Sequence, residues 1–70
     1  MSICIQISTN DTLSDERVMA LLREHGSMNV LVSEGGCAWN PASTKRMIYG
    51  PAAIKYVLHP DGGVNATLVA

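Results

Sequence analysis

Two stretches of alternating apolar residues flank a stretch of helical periodicity in the first half of the chain, and that succession restricts the fold more than any other feature. Ile3, Ile5 and Ile7 alternate with Cys4, Gln6 and Ser8, a period of two carried by β-branched residues, which predicts a strand with one face on a core. Asn10-Asp11-Thr12 breaks the pattern. Thr12 with Asp15 has the form of a capping box and Ser14 offers a second cap, so the spacing predicts a helix running to about His25. Ser14, Val18, Leu21, Leu22 and His25 project to one side of it, with Glu16, Arg17, Arg23 and Glu24 opposite. Gly26 stops the helix. Met28, Val30 and Val32 then alternate with Leu31 as a second strand, so the first and second strands are parallel neighbours or are split by a third inserted between them.

The second half is less regular. Cys37 to Thr44 has no period, and Asn40-Pro41 with Ser43 and Thr44 reads as a loop. Lys45 to Tyr49 and Ala53 to His59 read as strands around a Gly50-Pro51 turn, although Pro51 also suits the first position of a short helix reaching Leu58. Pro60-Asp61-Gly62-Gly63 is the strongest turn signal, joining Ile54-Tyr56-Leu58 to Val64-Ala66-Leu68 as an antiparallel hairpin. The predicted fold is a single α+β domain over residues 1–70, of order β-α-β-β-β-β, its one helix packed on one face of a small mixed or antiparallel sheet of four to five strands. One helix cannot cover both faces. Cys4, Gln6, Ser8, Leu31 and Val57 are therefore expected on an uncovered face open to a second chain or a partner.

Composition excludes several classes. Hydrophobic types make up 47% of the seventy residues and charged types 16%, too apolar for a chain that stays disordered, while no apolar run approaches the roughly 20 residues needed to cross a bilayer. The N-terminus lacks the basic start and continuous apolar stretch of a secretory signal, which predicts a cytoplasmic location with Cys4 and Cys37 as free thiols. Asn10-Asp11-Thr12 and Asn65-Ala66-Thr67 match the glycosylation sequon and are read as chance. A domain of this length buries only about 60% of its unfolded surface, and one small core yields ~3–5 kcal/mol. Self-association is the remaining source of stability, so a homodimer is expected, with the uncharged strand Val64 to Val69 as an edge able to pair.

The residues that carry chemistry stand mostly alone. Cys37 follows Gly35-Gly36, where a thiolate with His25 or His59 as base would make a nucleophile, yet nothing in the spacing orients that base, and Cys37 reads instead as a small apolar residue. Cys4, Cys37, His25 and His59 offer enough zinc ligands without the close pairing of structural zinc sites. Gly35-Gly36 with Ser43-Thr44-Lys45-Arg46 has the composition of a phosphate site but not the spacing of one. No cofactor is expected. Residues 1–40 carry five acids against Arg17 and Arg23, and residues 41–70 carry Lys45, Arg46 and Lys55 against Asp61, which falls short of a duplex-binding footprint.

Trp39, Tyr49 and Tyr56 are the only aromatic residues. Trp39, beside Asn40-Pro41, suits an interface hot spot, or folds back to cap one end of the sheet; the sequence leaves both open. Met19 projects toward a flank of the helix, where a flexible apolar side chain can meet a partner. The expected function is a small non-enzymatic binding protein, a regulator or inhibitor that occludes a larger cytoplasmic protein, a format that size alone associates with phage and mobile-element accessory proteins. Its binding residues are expected to be Trp39, Asn40, Lys45, Arg46, Tyr49 and Met19. A small nucleic-acid-binding regulator is the alternative, followed by a thiol-dependent enzyme using Cys37.

Overall fold

In the computed structural model, which describes residues 2–43 and 45–69, the isoleucine alternation forms strand β1 (Ser2–Ile7). The helix, α1 (Asp15–His25), starts at Ser14, whose hydroxyl accepts from the Arg17 N–H at 3.3 Å, and ends at Gly26, whose N–H donates to the Leu22 carbonyl at 2.7 Å. Thr12 does not cap it. Thr12 belongs instead to a two-residue strand, β2 (Thr12–Leu13), because the Asp11 and Leu13 carbonyls accept from Cys37 and Trp39 N–H groups across the chain.

Strand β3 (Ser27–Val32) follows and lies directly beside β1, parallel to it, with no strand inserted between them. Strand β6 (Ala52–Leu58) pairs antiparallel with β3, and β7 (Val64–Val69) closes the hairpin expected around Pro60-Asp61-Gly62-Gly63. The Ala52–Leu58 segment is thus strand and not the short helix that Pro51 would also have allowed. The four long strands make one mixed sheet in the order β1-β3-β6-β7, and α1 packs on one face of it over the middle strands β3 and β6. The fold is α+β, with a single helix on a mixed sheet.

Register explains the core. Ile3, Met28, Tyr56 and Ala66 form one row across the sheet, and Ile5, Val30, Ile54 and Leu68 the next. These rows face the helix, where Val18 and Leu22 are fully buried. Burying them removes apolar area worth roughly 1.5–3 kcal/mol per large side chain, which is what holds a helix of eleven residues that would be marginal alone. Burial fails only at the margin: Ile54 is 1% exposed and Leu68, in the same row, 65% exposed, because α1 does not extend over β7.

Three two-residue strands form a second, smaller sheet in the order β2-β4-β5, where β4 is Cys37–Ala38 and β5 is Ile48–Tyr49. The expected strand from Lys45 to Tyr49 is therefore confined to its last two residues, and it pairs with β4 instead of turning back along β6. Each small strand continues or precedes a long one, β2 after β1, β4 after β3 and β5 before β6. The break between the two sheets is enforced by close backbone packing. A Cβ on Gly50 would stand 1.9 Å from the Ser33 carbonyl oxygen, and one on Gly36 would stand 2.7 Å from that of Ser8. Leu13 and Ala38 on the inner side of the small sheet are fully buried, with Ile48 packed against them in the same core.

Candidate functional site

Among the described residues the longest irregular stretch lies between β4 and β5, and its two ends are anchored by the small sheet. Trp39 opens it. Its N–H donates to the Leu13 carbonyl at 2.9 Å, and its own carbonyl accepts the phenol hydroxyl of Tyr56 from the centre of the sheet. Tyr56 has no exposed surface, and burial pushes its phenol from the usual 10.0 up to about 12, so it is a fixed neutral donor at neutral pH. The indole itself is half-buried against the core with part of its surface open. Trp39 thus packs partly against the core.

Beyond Trp39 the chain makes local turns. The Asn40 side-chain oxygen accepts from the Ala42 N–H at 3.0 Å and its carbonyl accepts from Ser43 at 3.1 Å, so Asn40 shapes the loop with its own side chain. The Ser43 hydroxyl accepts from the Lys45 N–H at 3.3 Å. Lys45 and Arg46 are exposed, Met47 and Ile48 turn partly inward, and Tyr49 is 70% exposed. Tyr49 owes that exposure to register: Thr12, Cys37 and Tyr49 form the outer row of the small sheet, opposite Leu13, Ala38 and Ile48. Trp39, Asn40, Lys45, Arg46 and Tyr49 therefore share one segment with both ends fixed, whereas Met19 is half-buried on α1, a separate element. Thr44, which contributed a hydroxyl to the phosphate-like composition, lies outside the described residues.

Cys37 is half-buried with its sulfur 3.4 Å from the Thr12 hydroxyl, while Cys4 is exposed on the outer face of β1. The Nε2 of His25 lies 3.9 Å from the Glu24 carboxylate at the helix end, and His59 is exposed in the β6–β7 turn. Among the described residues no enclosed cavity is present, and no three His, Cys, Asp or Glu side chains converge as a metal site would require. The outer face of the large sheet carries Gln6, Leu31, Ala53 and Val69 in one row, of which Leu31 is 43% and Val69 49% exposed. Sequence reasoning placed Cys4, Gln6, Ser8, Leu31 and Val57 on that face; Ser8 lies past the end of β1 and outside the sheet, and Ala53 and Val69 were missed. It also missed the Tyr56–Trp39 bond, for which the sequence holds no signal beyond a tyrosine at a buried strand position. Compared with protein-family models, curated proteins and solved structures, the chain matches none.

Proposed function

We propose that this chain is a small non-enzymatic binding protein, a cytoplasmic regulator or inhibitor that works as a homodimer and occludes a larger protein through the Trp39–Tyr49 loop. The observation that supports it is the anchoring of Trp39 by two backbone bonds, one to β2 and one from the buried Tyr56, on a segment that also exposes Lys45, Arg46 and Tyr49. A half-buried tryptophan on an anchored backbone, in one segment with exposed cations, has the composition of an interface hot spot, where cations steer association at the rim. In a reducing compartment Cys4 and Cys37 remain thiols.

The test is capture of the partner from host lysate by wild type, by Trp39→Ala and by Tyr49→Ala combined with Arg46→Ala, with circular dichroism on each. Loss of a hot-spot anchor costs about 2–4 kcal/mol of binding, enough to abolish capture at micromolar concentration. The Tyr49/Arg46 variant changes only exposed side chains and stays folded, so its loss of capture reads the surface directly. If it and a folded Trp39→Ala both retain the partner, the loop is not the site. Binding to an oligonucleotide that weakens steeply with salt would favour the nucleic-acid alternative.

A further inference from the structure

We propose that β7 is the dimerisation edge, and that two copies of this chain pair β7 to β7 antiparallel with Ala66 opposite Ala66 of the partner subunit on the two-fold axis. The proposal rests on the homodimer reading above and adds which edge pairs and in which register.

Backbone parity fixes the groups on offer. The Leu58 N–H donates to the Gly26 carbonyl beside β3, and the His59 N–H donates to Gly63 in the hairpin, so even-numbered residues of β6 bond toward β3 and odd-numbered ones toward β7. Through the β6–β7 register, Asn65, Thr67 and Val69 spend their N–H and C=O groups on β6, while Val64, Ala66 and Leu68 point theirs at the free edge. A two-fold axis through a residue sets even-numbered residues against even-numbered ones, so the axis passes through a residue of β7 and never between two. Ala66 is the one that gives three hydrogen-bonded pairs within the strand, placing Val64 opposite the partner's Leu68 and Asn65 opposite the partner's Thr67, where an axis on Asn65 or Thr67 gives two.

That register is self-complementary from Val64 to Leu68. Apolar side chains meet apolar ones on the helix side, polar meet polar on the outer side, and no ionised residue occurs in Val64–Val69 to oppose its own copy. Three hydrogen-bonded pairs contribute about six backbone bonds. The side chain with most to gain is Leu68, left 65% exposed beyond the reach of α1. Strand β1 has the other free edge, but Ile3 and Ile5 are already half-buried there; of the four exposed large apolar side chains among the described residues, Leu68 and Val69 are on β7 and none is on β1.

Sedimentation velocity of the full chain over a concentration series, with Ala66→Pro and Leu68→Lys alongside, tests the pairing. Proline at 66 removes an N–H that faces the free edge and none that bonds β6, so the fold survives while the dimer loses a central donor. Wild type is expected to dimerise in the micromolar range and each variant to raise the dissociation constant at least about tenfold, with the dichroism spectrum unchanged. In a Cys4→Ser, Cys37→Ser background, Ala66→Cys should oxidise to a covalent dimer, since opposed Cα atoms about 5.5 Å apart lie within disulfide reach. A monomeric wild type at high micromolar concentration overturns the proposal, as does a dimer insensitive to both variants or one that Ala66→Cys fails to cross-link on oxidation. The two readings fail separately. A dimer insensitive to the β7 variants refutes the β7 pairing alone, a monomer refutes the homodimer reading together with it, and a β7 dimer whose loop variants capture normally refutes the loop alone.

Discussion

Replacing Tyr56 by phenylalanine tests the link between the sheet and the Trp39 loop, because it deletes one oxygen and leaves the buried ring in place. The hydroxyl donates to the Trp39 carbonyl, so the variant loses a hydrogen bond and strands a partly buried acceptor. A net loss of about 1–2 kcal/mol at neutral pH is expected, a large share of the ~3–5 kcal/mol available to a domain of this size. The same oxygen makes a second, independent signature. Burial raises the phenol in the folded state to about 12 from 10.0, so the native protein holds its proton through a range in which the unfolded chain releases it. Stability from this group is complete below pH 10 and is lost as pH rises through 12, by at most about 2–3 kcal/mol. Urea unfolding followed by circular dichroism from about pH 8 to about pH 12 should show wild type falling steeply at the alkaline end while Tyr56→Phe lacks that component and the two curves converge. A phenylalanine variant with the wild-type alkaline loss, or one of undiminished stability at neutral pH, would refute the reasoning.

Gly50→Ala should be at least as damaging as any loss of a core methylene group, at about 1–3 kcal/mol or more, because the added carbon meets the Ser33 backbone oxygen and nothing flexible can yield; thermal denaturation monitored by dichroism reads it, and a melting point equal to wild type counts against the close approach. Ser14→Ala should cost about 1 kcal/mol by leaving the Arg17 N–H without its acceptor, whereas Thr12→Ala should leave the helix content unchanged; the reverse ranking would restore Thr12 as the cap.

The elements visible in the sequence are those whose burial follows a period. Ile3-Ile5-Ile7, Met28-Val30-Val32 and Ile54-Tyr56-Leu58 each bury alternate residues on one sheet face, and Val18 with Leu22 repeats at helical spacing, so local pattern and tertiary packing coincide there. The small sheet obeys no period, since two residues cannot display one. Thr12–Leu13, Cys37–Ala38 and Ile48–Tyr49 become strands only because their long neighbours bring them together, and the glycines at 36 and 50 that permit the approach read in sequence as ordinary turn punctuation. The same holds for the candidate site. Trp39, Lys45, Arg46 and Tyr49 stand out by residue type and loop context, but what fixes Trp39 is a carbonyl bonded from Tyr56, a main-chain interaction that composition does not encode.

The position of β3 at the centre of the large sheet governs the order in which the molecule can assemble. Its neighbours arrive from opposite directions in the chain: Gln6 pairs with Leu31, and Ser27 pairs with Val57. Only α1, the β6–β7 hairpin and the two-residue β4–β5 pair can form from residues close in sequence. Every other pairing must close a long loop before any apolar surface is buried, which raises the contact order and slows the search relative to a helical chain of equal length. During synthesis, moreover, β1, α1 and β3 emerge before β6, so the central strand presents a naked apolar edge until β6 has been released. The hairpin that completes the core is thus also the element that ends the interval in which β3 can pair with the wrong strand.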